Sequence, residues 1–245
     1  MKDKEIDEIL THAALAPHVM DPALLDQVAK SIQSSMRPVR PLPPTWVLEG
    51  GLVLTCATVA MAGAARAGFY GIQELSALER GIIFPMLGIL IWLAAAVSVS
   101  EMIPGSRRRI TPGALLAVGS LTLLAVFAIL FREYQTTHFL SAGIICLITG
   151  LLHAIPTALV SWLLLRRGFA VNSIAAGLAG GTLAGLAGVT MLELHCANFQ
   201  ALHVLVWHTA VVPVSGVMGA LLAWALRFRE GSEVHSGITS RRPNR

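Results

Sequence analysis

The sequence predicts an all-α polytopic membrane protein, a bundle of six transmembrane helices with a short cytoplasmic helical N-terminal segment. Three observations carry that prediction. Of 245 residues, 55% are hydrophobic and only 13% charged, against about 25% charged in an ordinary soluble domain. The mean hydropathy is +0.69. Six stretches are each apolar over the roughly 20 residues that a helix needs to cross a bilayer. A soluble enzyme, a disordered chain and a nucleic-acid-binding domain are all excluded by that composition.

The spans are Trp46–Ala65, Gly81–Ser100, Pro112–Phe131, Phe139–Leu165, Ala170–Leu192 and Val204–Leu226. Every charged residue lies outside them except Glu49, which sits in the first turn of the first span. A carboxylate there reaches the interface and suits a helix N-terminus. The organisation is therefore a head over residues 1–45, a six-span domain over 46–226 and a basic tail over 227–245.

Orientation follows from Lys and Arg, which favour the cytoplasmic side. Fifteen of the eighteen fall in the N-terminal segment, the connections at Arg107–Arg109 and Arg166–Arg167, and the C-terminal tail. Arg66, Arg80 and Arg132 alone lie on the opposite side. Both termini are expected in the cytoplasm, with the connections after spans one, three and five facing outward. The pI near 9.3 then reports topology, and its partner is the anionic bilayer surface rather than nucleic acid. No short apolar run behind a basic start marks a cleavable leader, so the first span is expected to act as the insertion signal.

In the head, Asp3–Leu10 reads as a short helix with Ile6, Ile9 and Leu10 on one side. Asp21 can cap a second helix with Pro22 at its first position. Leu24, Leu25, Val28, Ala29 and Ile32 then recur at helical spacing. Two such helices are too small to enclose a core. They either lie on the membrane surface or dock on a soluble partner by helix-in-groove recognition. Pro38, Pro41, Pro43 and Pro44 form a stiff spacer, or an exposed linker, before Trp46, an interfacial anchor.

Within the spans, Gly177, Gly181 and Gly185 recur every four residues and make a groove for a close neighbour. The neighbour is another helix of the same chain or a second copy, so homo-oligomers stay open. Pro85, Pro156 and Pro213 can kink their spans. His153 reads as a packed neutral histidine. No carboxylate stands at the midplane, which weighs against the alternative of a small-molecule or metal-ion transporter.

The cysteines differ in depth. Cys56 is mid-span and reads as a small apolar residue. Cys146 lies roughly 10 Å below the outer surface at 1.5 Å per residue, and Cys196 follows the fifth span, so helices could bring the two thiols together. His195, His203 and His208 fall beside Cys196. Imidazole and thiolate suit a redox or metal sensor, with Cys196, His195 and His203 as candidate metal ligands. An exterior compartment also permits a disulfide. Capping and interfacial packing are the plainer account, and the spacing decides among none of the three. No nucleophile elbow, P-loop or His-Glu-x-x-His motif supports an enzyme, and nothing calls for a cofactor.

Three segments together resemble the NrsF-like family, negative regulators of SigF. They are Pro38-Val39-Arg40-Pro41-Leu42-Pro43-Pro44, Glu193-Leu194-His195-Cys196 and His203-Val204-Leu205-Val206-Trp207-His208. The resemblance covers most of residues 37–228. It implies a membrane-bound anti-sigma factor that sequesters an extracytoplasmic-function sigma factor and releases it on an envelope, metal or oxidative signal. It also implies a cysteine in the fourth span and one after the fifth, matched by Cys146 and Cys196. The expected partner-binding residues are Ile6, Ile9, Leu10, Leu24, Leu25, Val28 and Ile32.

Overall fold

A computed structural model describes residues 11, 22–35, 43–103, 105–106, 110–134, 139–167 and 172–239. The expected helix with Ile6, Ile9 and Leu10, the Asp21 cap, the Leu24 side chain and the arginines at 107–109 lie outside the described residues. Those described are predominantly helical, with no strand among them.

The head contributes α1, Pro22–Ser35. Leu25, Val28 and Ile32 are all about half exposed on it, and their spacing places them on one face. The remaining helices are α2 (Thr45–Ala67), α3 (Tyr70–Glu74), α4 (Ala77–Ser100), α5 (Pro112–Leu130), α6 (Phe139–Arg167), α7 (Ser173–His195), α8 (Ala201–His203) and α9 (Thr209–Thr239), with a π turn at Val204–His208 between the last two. Six helical stretches are long and apolar enough to cross a membrane. Their outward faces carry Leu54, Ile89, Leu121, Leu140 and Leu222, well exposed, as lipid contact requires.

Caps set the ends of these helices. α4 begins four residues before the expected Gly81 because Ser76-Ala77-Leu78-Glu79 forms a capping box. The Ser76 backbone N–H donates to Glu79 Oε2 at 2.7 Å and the Glu79 N–H to Ser76 Oγ at 3.3 Å, satisfying two of the orphan donors of the first turn. Thr111 caps α5 ahead of Pro112. α7 starts at Ser173 rather than Ala170, since Asn172 Oδ1 accepts from Ala175 N at 3.1 Å. It also runs to His195 rather than Leu192. That shift corrects the charge map, for Glu193 now lies inside a helix and is fully buried. The helix of the last span continues beyond Leu226 to Thr239.

α7 is the central element and the most buried of the six, packed against α2, α4, α5, α6 and, most extensively, α9. Its small residues explain this. A Cβ at Gly177 would strike the Gly219 carbonyl, and one at Gly181 the Ser215 carbonyl. At Gly185 it would stand 2.8 Å from Val212 Cα, while at Gly188 it would meet the Gly150 carbonyl of α6. The glycine groove thus seats α9 and α6 within one chain, where close backbone approach replaces the hydrophobic driving force that lipid removes.

Span hydroxyls bond back to their own helices. Thr55, Ser98, Thr182 and Thr190 each donate 2.8 Å to the carbonyl four residues earlier. His153 Nδ1 bonds Thr149 O at 2.8 Å, its ring against Gly63, as expected of a packed histidine.

Candidate functional site

The end of the bundle where α7 stops collects Glu193, His203 and His208, all buried, beside Cys146 and Cys196. Cys196 is the C-cap of α7, its N–H donating to Leu192 O at 2.7 Å. The five-residue connection that follows is held by an aromatic stack, Phe131 on Phe199 with ring centres 5.2 Å apart. Ala201 N then bonds Glu133 O at 2.8 Å. α3 closes over the same end through Gly71. A side chain there would stand 2.6 Å from Glu193 O and 2.7 Å from Cys196 O.

The π turn sets the histidines. On a regular α-helix, residues five apart point about 140° away from each other. The wider i→i+5 turn brings His203 and His208 toward one face. Their rings meet edge to face, 5.2 Å between centres. Trp207, within the turn, lies over Gly143 of α6, which has no side chain to block the indole. That contact fixes α6 against the turn one helical step from Cys146.

The result joins residues distant in sequence. Cys146 Sγ lies 3.5 Å from Cys196 Sγ, and Cys196 Sγ lies 3.7 Å from His203 Nε2. One ligand atom from each of Cys146, Cys196, His203 and His208 falls within 4.8 Å of every other. Both cysteines are free thiols. Hydrogen bonding to Cys146 and burial push the Cys196 thiol above its ordinary pKa, with His203 and His208 pulling the other way.

Behind the thiols stands a carboxylate that sequence reasoning did not nominate. His208 Nδ1 and Glu193 Oε1 are 2.7 Å apart, both side chains fully buried. With the carboxylate ionised, Nδ1–H donates to it, and the length is that of a charge-assisted bond. His208 Nε2, His203 Nδ1 and Glu193 Oε2 are buried and make no hydrogen bond among the described residues.

His195 is placed differently. Its Nδ1 bonds Gly68 O at 3.0 Å and its ring tilts against Tyr70. It ties α7 to the end of α2 and lies outside the four-residue group. Gly68 takes φ 104° there, a left-handed conformation that glycine adopts without penalty. A cavity of about 380 Å³ leads to the thiols, lined by Tyr70, Ile145, Cys146, His195, Cys196 and His203 among others. Cys56 is buried in α2, apart from the group.

Of the sequence candidates, then, Cys146, Cys196, His203 and His208 come together and His195 does not join them. The Glu193–His208 pair gave no motif, although Glu193 in a chain of so few carboxylates was visible. Of the proposed partner-binding residues, Leu25, Val28 and Ile32 are exposed on α1.

A family model described as NrsF, negative regulator of sigma F, matches residues 33–228. That stretch contains all six candidate spans and every residue of the thiol–imidazole group. No curated protein and no solved structure matches the chain.

Proposed function

The chain belongs to the NrsF family, the negative regulators of sigma F, and we propose that it is an inner-membrane anti-sigma factor that holds an extracytoplasmic-function sigma factor away from RNA polymerase. The family match carries this reading. It is supported by six helices fit to span a membrane and by basic residues concentrated at one side, which puts both termini in the cytoplasm by the positive-inside rule. The protein acts by binding rather than by catalysis. Its function is capture of a protein and release of it.

Capture falls to the head. Leu25, Val28 and Ile32 form an exposed apolar stripe on α1, and such a stripe suits a groove on a soluble partner. The basic side of the six-span domain flanks the same compartment under this topology.

Release falls to the opposite end, which faces the envelope. Two thiols 3.5 Å apart can accept either of two signals. A peroxide-type oxidant would take two electrons and two protons from Cys146 and Cys196 to leave a disulfide. A thiophilic metal ion would displace the two thiol protons with no change of oxidation state. Either event joins α6 to the α7–α9 connection and so alters the packing of the helices that cross to the cytoplasmic side.

The test is capture by the full chain in detergent or nanodiscs, with candidate sigma factors co-expressed. Retention of a sigma factor is expected, with loss on Leu25→Asp together with Val28→Asp. Retention of none, with sigma-dependent transcription unchanged on deleting the gene, overturns the reading.

A further inference from the structure

We infer that His203 and His208 complete the cysteine pair as a closed, four-ligand site for a borderline-soft divalent ion of the zinc type, with Glu193 as the residue that orients His208. The ligands are Cys146, Cys196, His203 and His208. As the signal of the sensing end proposed above, the ion rests on that reading for its role. Its binding rests on the geometry alone.

Tetrahedral zinc holds sulfur at about 2.3 Å and imidazole nitrogen at about 2.0–2.1 Å. The edges of such a tetrahedron are therefore about 3.8 Å between sulfurs and about 3.5 Å from sulfur to nitrogen. The observed separations are 3.5 Å for the sulfurs and 3.7 Å for Cys196 Sγ to His203 Nε2. A disulfide, by contrast, requires the sulfurs to close to about 2.05 Å. Two of the six edges already stand near the lengths that a metal would impose, and the other four lie within 4.8 Å.

The unused atoms point the same way. His208 Nδ1 is committed to Glu193, which leaves Nε2 buried and without a hydrogen bond among the described residues, on a ring of which one nitrogen lies within 4.8 Å of both sulfurs. A carboxylate on the far nitrogen of an imidazole fixes its tautomer and raises its basicity, the usual support for a metal-bound histidine. Binding two thiolates and two neutral imidazoles to a divalent ion gives a neutral centre. The two thiol protons leave to solvent, and no electron moves. The ligand types, two sulfur and two nitrogen, favour zinc-like ions over magnesium or calcium.

The test uses the reduced full chain in detergent, titrated with Co²⁺ and then Zn²⁺. One Co²⁺ per chain is expected, with a thiolate-to-cobalt charge-transfer band and the strong visible bands of tetrahedral cobalt, lost on adding Zn²⁺. His203→Ala and His208→Ala should each weaken binding at least tenfold and remove the tetrahedral bands. Glu193→Gln should weaken it about tenfold to a hundredfold while keeping them. His195→Ala should change nothing. Should an alanine variant fail to fold, the wild-type spectrum and Glu193→Gln decide. A reduced wild type with no tetrahedral cobalt, or binding untouched by both histidine variants, overturns the site. Bound zinc that leaves sigma-factor retention unchanged upholds the site and overturns its sensing role. Retention that responds to a signal in a chain that binds no cobalt does the reverse.

Discussion

The two halves of α7 solve opposite problems. At Gly177, Gly181, Gly185 and Gly188 the helix meets α9 and α6 with no side chain of its own, so backbone meets backbone, and no ionisable residue stands between Gly177 and Gly188. From Glu193 to Cys196 the same helix carries a carboxylate, an imidazole and a thiol, with buried polar atoms left without hydrogen bonds nearby. The glycine half fixes where α9 lies. The polar half sits at the end of that fixed contact, where its thiol and carboxylate meet Cys146 of α6 and His208 of the π turn before α9. The sensing role proposed for this end would call for both, a rigid seat and an adjustable end.

Removing the carboxylate should break the polar half most severely. Glu193→Ala leaves the buried His208 Nδ1–H without its acceptor, and a buried donor that loses a charged partner costs about 3 kcal/mol. Unfolding of the detergent-solubilised chain would read this, and Glu193→Gln should recover most of the loss.

The glycine half should be next. Gly181→Ala drives a methyl into the Ser215 carbonyl and is expected to cost about 1–3 kcal/mol. Gly88→Ala on α4, with nothing within 4 Å of the added carbon, should be neutral or gain up to about 1 kcal/mol. Equal effects at the two glycines would remove the contrast between seat and surface.

The cysteines should separate stability from response. Cys146→Ser and Cys196→Ser together are expected to keep repression while abolishing induction by thiol-reactive stress in a sigma-dependent reporter. Normal induction in the double variant takes both thiols out of the mechanism.

A smaller effect tests the electrostatics. The Cys196 pKa is raised by its bond to Cys146 and by burial, so the neutral thiol persists to higher pH than in an ordinary cysteine. Alkylation of Cys196, followed by peptide mass spectrometry, should rise only above the usual thiol range. In Cys146→Ala the profile should move to lower pH, because the largest raising influence is gone.

What the sequence reveals follows from how far each signal reaches. The six spans are legible because twenty uncharged residues say the same thing many times over. The glycine groove is legible because a four-residue repeat needs no partner to be seen. Cys146 and Cys196 come to one end by counting rises along alternating spans. The capping box at Ser76 and Glu79 and the cap at Asn172 are equally local, and they explain why α4 starts earlier and α7 later than hydropathy suggests. The π turn has no such signature. One surplus residue wound between His203 and His208 shows only against α6 and α7, so the company of these two imidazoles stays hidden. His195 points to Gly68 for a similar reason, since its partner is 127 positions away.

The order in which the chain emerges gives the thiol–imidazole group a further consequence. Its members stand at positions 146, 196, 203 and 208, so the first three spans can enter the membrane with none of it present. The groove for α9 also stays empty until the sixth span arrives. A ribosome that stops short of His208 therefore leaves two uncovered thiols and an unmatched buried carboxylate. Completion of this end thus waits for the last span, and the group can form only in a chain that extends past His208.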